Sequence, residues 1–239
     1  MVEIYNETVR DLLSATPTTG KGLELRQGPR GVYIDGVTVA DAPDLSRVHE
    51  LMATGGRNRA MGATDANEYS SRSHSLLMIT LVGTNKATGA RTQGKLVLVD
   101  LAGSERLAKS HAKGERLKEA KNINRSLSAL GDVISSLVAK NSHVPFRNSK
   151  LTYLLKDSLG KDNKALMIVQ TAPTKSSRSE TICSLNFAQR VGTVEQGSAK
   201  RSGDSVEVTK LRNLVRCPPP LLPKPLARSC CWCFSFVVV

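Results

Sequence analysis

Three apolar runs constrain this chain more than any other feature of its sequence. They are SLLMITLV at 75–82, KLVLVD at 95–100 and ALMIVQT at 165–171. Each run shows little alternation between apolar and polar residues, which is typical of strands covered on both faces. Helical patterns lie between the second and third runs, so we predict a three-layer α/β fold in which a central mixed sheet is flanked by helices. The turn region 83–94 joins the first two runs and predicts a hairpin.

Helical periodicity is clearest between residues 119 and 139. Apolar residues there recur at steps of four and three and therefore share one face; they are Ile123, Leu127, Leu130, Ile134 and Leu137. The segment VEIY at 2–5 predicts a short strand. A helix is predicted at 6–13, with Val9, Leu12 and Leu13 on one face. A second is predicted from the cap Asp44 to Gly55-Gly56, and its inward residues are Leu45, Val48, Leu51 and Met52. Two more helices are predicted, from Ser149 to Leu159 and at 179–191.

The composition favours an acidic partner. The 239 residues carry a formal charge of +13, from 34 basic and 21 acidic side chains. Aromatic residues make up only 4%, which disfavours a stacking platform for single-stranded nucleic acid. Four of the five cysteines fall after residue 216, so the pattern is not a disulfide framework, and no signal peptide opens the chain. We expect a cytosolic or nuclear compartment. The apolar stretch 230–239 is about half of the roughly 20 residues that a membrane-spanning helix needs.

Two stretches resemble a phosphate-binding loop but do not match it. That motif reads G-x-x-x-x-G-K-[ST] between a strand and a helix. In the stretch 89–96 a leucine stands in place of the hydroxyl residue, and the lysine begins an apolar strand. In the stretch 15–22 an alanine and a glycine replace two of the motif residues. Both are better interpreted as glycine-rich turns.

Polar residues at the ends of two strands indicate a nucleotide site. In LVDLAG, Asp100 ends an apolar strand and Gly103 follows three residues later, the spacing with which P-loop nucleotidases hold magnesium and contact a terminal phosphate. The stretch NEYSSRSH at 67–74 places hydroxyl, amide, guanidinium and imidazole groups before another strand. Each stretch alone is weak evidence, because such patterns occur in ordinary loops. Together they are much less often accidental.

Five long segments in a fixed order resemble the kinesin motor domain. They are NEYSSRSH, LVDLAGSER, KEAKNINRSLSALGDVISSL, HVPFRNSKLTYLLKDSLG and SLNFAQRV, and EIYNETVRDLL resembles the segment before the first switch of that family. The similarity covers residues 1–199 and implies the kinesin-type P-loop nucleotidase fold, present in part. Within the family, the chain looks most like the class with a C-terminal motor, which typically moves toward microtubule minus ends.

The resemblance implies a catalytic site that binds ATP and Mg²⁺. The catalytic candidates are Asn67, Ser70, Ser71, Arg72, Asp100, Gly103 and Glu105. Ser70, Ser71, Asp100 and Gly103 are the cofactor-binding candidates, and Ser71 and Asp100 would hold the metal, Asp100 through water. Arg72 and Glu105 match the ion pair that closes across the two switches. His74 also belongs to the first-switch motif, but a lone histidine before a strand is more often structural.

The resemblance also implies a surface that binds tubulin. The helix from Glu119 to Ala139 matches the relay helix, which carries switch closure to the filament. The microtubule-binding candidates are Lys121, Asn122, Arg125, His143, Arg147, Lys150 and Lys156. The resemblance implies tubulin as the partner, and its surface is acidic. The excess of basic residues would therefore favour binding, and this binding would weaken as the salt concentration rises. Without the resemblance, a solvated basic loop is the more frequent interpretation.

The chain departs from the family where the phosphate-binding loop is concerned. In the family that loop precedes EIYNE, the point at which this sequence starts, so we expect an N-terminally truncated motor domain that binds ATP poorly and hydrolyses it negligibly by itself. Two functions stay open: a microtubule-stimulated ATPase motor, or a binding module that attaches to microtubules without turnover. The expected partners are microtubules and either the missing motor half or an intact motor of the same gene, in the cytoplasm or on the spindle. Nucleic acid and membrane are not expected partners.

Residues 200–239 form a separate segment. It is rich in proline and cysteine, and its prolines bar a regular helix across the first half. It resembles neither a motor neck nor a coiled coil. We expect it to be disordered.

Overall fold

The computed structural model describes residues 1–15, 22–29, 31–61, 72–87, 89–103, 115–160, 163–195, 202–203 and 235–238. Its strands are β1 Val2–Tyr5, β2 Thr8–Asp11, β3 Leu25–Gly28, β4 Gly31–Ile34, β5 His74–Thr84, β6 Arg91–Asp100, β7 Ala165–Ile168, β8 Ser202–Gly203 and β9 Ser235–Val238. Its α-helices are α1 Leu45–Met61, α2 Glu115–Val138, α3 Lys150–Leu154 and α4 Arg178–Gly192. Short 3-10 turns lie at Phe146–Asn148 and Lys175–Ser177.

One sheet organises the strands in the order β2-β1-β5-β6-β9-β7, with β8 also paired to β6. The predicted hairpin is confirmed, because β5 and β6 pair from Ser75 opposite Asp100 to Thr84 opposite Arg91. Strands β6 and β7 are both antiparallel to β9 and therefore run parallel to each other. A separate hairpin contains β3 and β4. Strands and helices together make the predicted α/β class.

The core lies where α2 and α3 pack with the sheet residues. Its members include Val2 and Ile4 of β1, Leu76 of β5, Val97 and Val99 of β6, Leu130 and Val133 of α2, and Leu151 and Leu154 of α3. The apolar face predicted for α2 is confirmed, since Leu130 and Ile134 are buried and Leu127 and Leu137 pack against the cluster. α3 is shorter than predicted but begins as expected after Ser149, whose hydroxyl accepts from the Thr152 backbone N–H at 3.1 Å.

The helix predicted at 6–13 is wrong, because this segment forms strand β2. Asn6 and Glu7 both adopt positive φ, 51° and 59°, as a two-residue hairpin turn of the primed type requires. The turn folds β2 back on β1 and places Val9 opposite Ile4. Both side chains are almost fully buried. Spacing within the segment fits either a helix or a strand, and this cross-strand contact favours the strand.

The predicted start of α1 is confirmed and its predicted end is wrong. The Asp44 carboxylate accepts from the Arg47 backbone N–H at 2.8 Å, as in an N-cap. The helix continues through Gly55 and Gly56 to Met61. Its last turns are anchored by tertiary contacts, including a 2.8 Å hydrogen bond from the Asn58 amide to the Leu12 carbonyl. The predicted inward stripe fails at Leu45 and Met52, which are exposed.

Two further predictions about strands need correction. The runs that form β5 and β7 are predicted to be covered on both faces, but Leu81 and Val82 at the end of the first run are exposed. In β7, Leu166 and Ile168 are exposed while Ala165 and Met167 pack against the core. Among the residues that the structure describes, one face of this strand has a packed layer and the other does not. In the segment 200–239, predicted to be disordered, residues 202–203 and 235–238 form strands because they find ladder partners in the sheet. The remaining residues of that segment lie outside the described part of the chain.

Candidate functional site

The β5–β6 hairpin brings the two predicted polar stretches together. Asp100 ends β6 directly opposite Ser75, one residue after His74 begins β5. Because the strands are antiparallel, the residues that precede β5 and the residues that follow β6 lie at the same edge of the sheet. Arg72 is therefore near the same edge as Asp100 and Gly103. The strand register thus brings the described parts of the two stretches, 72–74 and 100–103, to one end of the sheet.

Arg59, in the last turn of α1, binds several groups at this edge. Its guanidinium lies 3.0 Å from Asp100 Oδ2, donates at 3.0 Å to the Ser73 carbonyl, and donates at 3.2 Å to the Ser73 hydroxyl. Its Nε is also 3.6 Å from Glu3 Oε1, on β1. Glu3 is almost fully buried, and this oxygen accepts no hydrogen bond within the described residues. The guanidinium therefore compensates a buried carboxylate as well as holding Asp100.

His74 connects this edge of the sheet to α2. The Ala102 backbone N–H donates to His74 Nδ1 at 3.0 Å, and His74 Nε2 lies 2.7 Å from the Ser126 hydroxyl. Since Nδ1 accepts, the ring proton is on Nε2, which donates to Ser126. Ser126 in turn donates to the Ile123 carbonyl at 2.7 Å. A continuous hydrogen-bonded chain thus runs from the loop after Asp100 to the backbone of α2.

The imidazole of His74 is neutral in this chain of hydrogen bonds. Burial, reinforced by the positive charge of Arg59, lowers the pKa of His74 from 6.5 to about 4. A protonated ring would have two donors and would leave the Ala102 N–H without its acceptor. The pKa and the geometry therefore agree that His74 is a structural connector and not a base.

Sequence reasoning predicted some of these groups and missed others. Asp100, Gly103 and Arg72 lie at the site edge; Asn67, Ser70, Ser71 and Glu105 lie outside the described residues, so the Arg72–Glu105 pair stays a prediction. Arg59 and Glu3 were missed. No local pattern marks them, because Glu3 is a single charged residue in a short strand and Arg59 is one of several charged residues in α1. Only tertiary packing makes them neighbours.

The described residues fit a magnesium site in part. Mg²⁺ prefers oxygen ligands and is usually held by one or two carboxylates together with phosphate oxygens and water. Asp100 provides a carboxylate whose side chain remains 41% accessible despite the Arg59 contact, so it can accept from a metal-bound water. Within the described ranges no three His, Cys, Asp or Glu residues lie close enough together to hold a metal ion. The printed sequence contains no G-x-x-x-x-G-K-[ST] stretch for the phosphates of ATP.

The predicted microtubule-binding residues lie on or next to three elements that contact each other. α2 packs against α3 and against the 3-10 turn at 146–148. Arg125 on α2, Arg147 in the 3-10 turn, and His143 before it are exposed. Arg125 and Arg147 are exposed guanidinium groups on elements that pack against each other, and we call the surface that carries them and His143 the basic surface.

The other predicted residues of the basic surface have internal contacts. Asn122 donates its side-chain amide to Asn6 in the β1–β2 turn. Lys150 is half-buried at the start of α3, and its backbone N–H donates to Glu7 at 3.0 Å. Lys156 donates to the Gln27 side chain at 3.2 Å. The side chain of Lys121 lies outside the described part. The β1–β2 turn thus fixes the position of α3.

Among the residues that the structure describes, no helix is both long and apolar enough to cross a bilayer.

Comparison with known proteins identifies the family. The sequence profile of the kinesin motor domain matches residues 1–194. The chain is 51% identical over 216 residues to the kinesin-like protein KIN-14E of Oryza sativa subsp. japonica, a match that covers 90% of this chain and 20% of the relative. It is also similar to the solved motor domain of the Saccharomyces cerevisiae kinesin-related protein Kar3, with 44% identity and a TM-score of 0.68 over 80% of this chain and 58% of that one.

A third match is a KIF14 dimer in complex with a microtubule, with 36% identity and a TM-score of 0.74 over 90% of this chain and 62% of that chain. The chain spans about a fifth of the length of the curated relatives it matches. Profile, sequence relatives and structures agree, and the kinesin-type α/β fold is present in part. The chain therefore belongs to the kinesin motor domain family.

Proposed function

We propose that this chain is the switch and track-binding part of a microtubule motor in which ATP hydrolysis drives movement along the filament. The observation that carries the proposal is the hydrogen-bonded connection from Ala102 through His74 to Ser126 of α2. It joins the loop after the candidate magnesium ligand to the helix that bears the basic surface. A nucleotide-dependent change in the loop after Asp100 would therefore be transmitted to α2.

The nucleotide end would use residues of both switches. Asp100 and Ser71 would hold Mg²⁺, which neutralises phosphate charge when bound. Ser70 and the Gly103 N–H would contact the terminal phosphate, and Asn67 would orient the attacking water. Arg72 and Glu105 would close as an ion pair over the site. Arg59 keeps the Asp100 carboxylate at the sheet edge, since it also binds Ser73 before β5.

The filament end would use α2 as a rigid element. Its 24 residues correspond to roughly 36 Å of helix, so a displacement at Ser126 reaches both ends of the helix. α2 packs against the 3-10 turn and α3, and these elements carry Arg147 and Lys150. The basic surface would bind the acidic face of tubulin. The protein would then act on cytoplasmic microtubules, including those of the spindle.

A second function is favoured by one sequence observation. Without a G-x-x-x-x-G-K-[ST] stretch in the printed sequence, these residues alone provide no cradle for the phosphates. They would then bind microtubules in the same way with or without nucleotide, and turnover would need the remaining motor part or an intact motor of the same gene. The basic surface is common to both functions.

Steady-state ATPase assays with and without microtubules separate the two functions. The purified 239-residue chain is expected to co-sediment with microtubules equally in ADP and in a non-hydrolysable ATP analogue, with no stimulated phosphate release. Stimulated turnover by this chain would contradict the binding-module function and support a complete catalytic site. Absence of co-sedimentation at low salt would contradict both functions.

Reversing one charge of the basic surface should weaken binding. Arg147→Glu replaces attraction to an acidic partner by repulsion, and each exposed charge pair contributes up to about 1 kcal/mol, so we expect the dissociation constant to rise about 5- to 30-fold at low salt. Lys86→Glu is the matched control, because Lys86 is exposed in the β5–β6 turn. Equal weakening by both variants would mean that net charge, and not this surface, determines the affinity.

A further inference from the structure

Strand β9 occupies a gap of one strand in the middle of the main sheet. Its residues pair with β6 from Asp100 opposite Ser235 to Val97 opposite Val238. On the other side the same residues pair with β7, with Ile168 opposite Ser235 and Ala165 opposite Val238. Neighbouring strands lie about 4.8 Å apart, so β6 and β7 are separated by roughly twice that distance.

The gap cannot be left empty without loss of pairing on both sides. In the described part of the sheet, β7 has β9 as its ladder partner, and β6 has β5 on its opposite side at 97–100. Val97 and Val99 are almost fully buried, so this stretch of β6 is shielded from water. Backbone groups in such a place need partners, because an unpaired buried N–H or C=O is strongly unfavourable.

We infer that the gap between β6 and β7 is a strand-binding site that takes an extended apolar tetrapeptide in antiparallel orientation, and that residues 235–238 of the same chain are its occupant. Ser-Phe-Val-Val is suited to this role, since phenylalanine and valine are enriched in strands and the stretch contains neither proline nor glycine. The prolines of the 200–239 segment all lie before residue 226, outside the strand. This inference does not depend on the proposed function.

The inserted strand also supports the candidate site. Asp100 is paired to Ser75 on one side and to Ser235 on the other, so its backbone is held between two ladders. Without β9, the residue would be held from one side only. The 200–239 segment contacts β6 a second time, where Ser202 and Gly203 pair with Gln93 and Thr92. The segment 200–239 therefore pairs with β6 at two positions, residues 92–93 and residues 97–100.

Backbone hydrogen exchange on the full chain tests the inference. In a strand paired on both sides every N–H faces one neighbour or the other, so Val237→Pro removes a ladder bond wherever it falls. We expect amide protection at 97–100 and 165–168 to drop at least about tenfold. Leu226→Pro is the matched control and should leave protection unchanged. Unchanged protection in Val237→Pro, with 2–4 still protected by pairing with β5, would overturn the inference.

A cross-link keeps the inference testable even where Val237→Pro unfolds the chain. Leu98 and Val237 are directly opposite, at a separation that a disulfide can span. In the L98C/V237C variant with the five native cysteines replaced by serine, mildly oxidised and mapped by mass spectrometry, we expect a bond between these two cysteines within one chain. The L98C/L226C variant is the control. A bond between two chains would overturn the assignment of residues 235–238 of the same chain, and absence of any 98–237 bond would overturn the site itself.

Discussion

Replacing Arg59 by methionine removes the cation that serves two carboxylates at the site edge. The Glu3 side chain is 3% exposed and the Arg59 side chain 13%, with 3.6 Å between Nε and Oε1. Removing one partner of a buried ion pair leaves an uncompensated charge, which costs about 3 to 5 kcal/mol. The Asp100 side chain is 41% exposed, so its share is at most about 1 kcal/mol. We therefore expect the loss of stability to come mainly from Glu3.

Urea unfolding followed by circular dichroism measures this effect. Arg47→Met is the matched control, because the Arg47–Glu50 pair on the same helix is exposed and should contribute about 0.5 kcal/mol or less. The double variant R59M/E3Q should recover at least about 1 kcal/mol of the loss, since the neutral amide carries no buried charge. A cost for Arg59→Met below about 1 kcal/mol, or no recovery in the double variant, would refute this account of Glu3.

Two further predictions concern pH and backbone geometry. Because the pKa of His74 is lowered from 6.5 to about 4, the folded state disfavours its protonation, and the free energy of unfolding should fall by up to about 1.4 kcal/mol per unit as the pH drops through this window. Denaturant unfolding between pH 7.5 and 4 should show a weaker decline in His74→Gln; an identical decline would contradict the assignment. Gly31→Ala should cost at least twice as much in thermal or urea unfolding as Gly36→Ala. Both glycines have positive φ, but a Cβ at Gly31 would collide with the Asp157 carboxylate, which accepts from the Val32 N–H at 2.5 Å, whereas the space around Gly36 is open. Equal losses of stability in the two variants would show that the strain of a positive φ, and not the contact with Asp157, determines the loss.

Elements with long, regular patterns were predictable, and elements decided by a distant contact were not. The apolar face of α2 repeats over four turns, and the β5–β6 hairpin joins two long runs, so few alternatives compete. β2 is four residues long, and the spacing of Val9, Leu12 and Leu13 fits a helix as well as a strand. Its strand conformation depends on the contact of Val9 with Ile4. The end of α1 was misjudged because two glycines are a local stop signal, while the Asn58 and Arg59 contacts that extend the helix are tertiary.

By itself the sequence determined the family, the position of Asp100 at the end of an apolar strand, and the apolar face of α2. These features are local, because residue type and spacing along one segment are enough to define them. Only the tertiary structure decided that Arg59 binds Asp100, that His74 connects Ala102 to Ser126, and that β9 lies between β6 and β7. Such contacts join residues that are distant in the chain, and they depend on strand register and burial, which no single segment encodes.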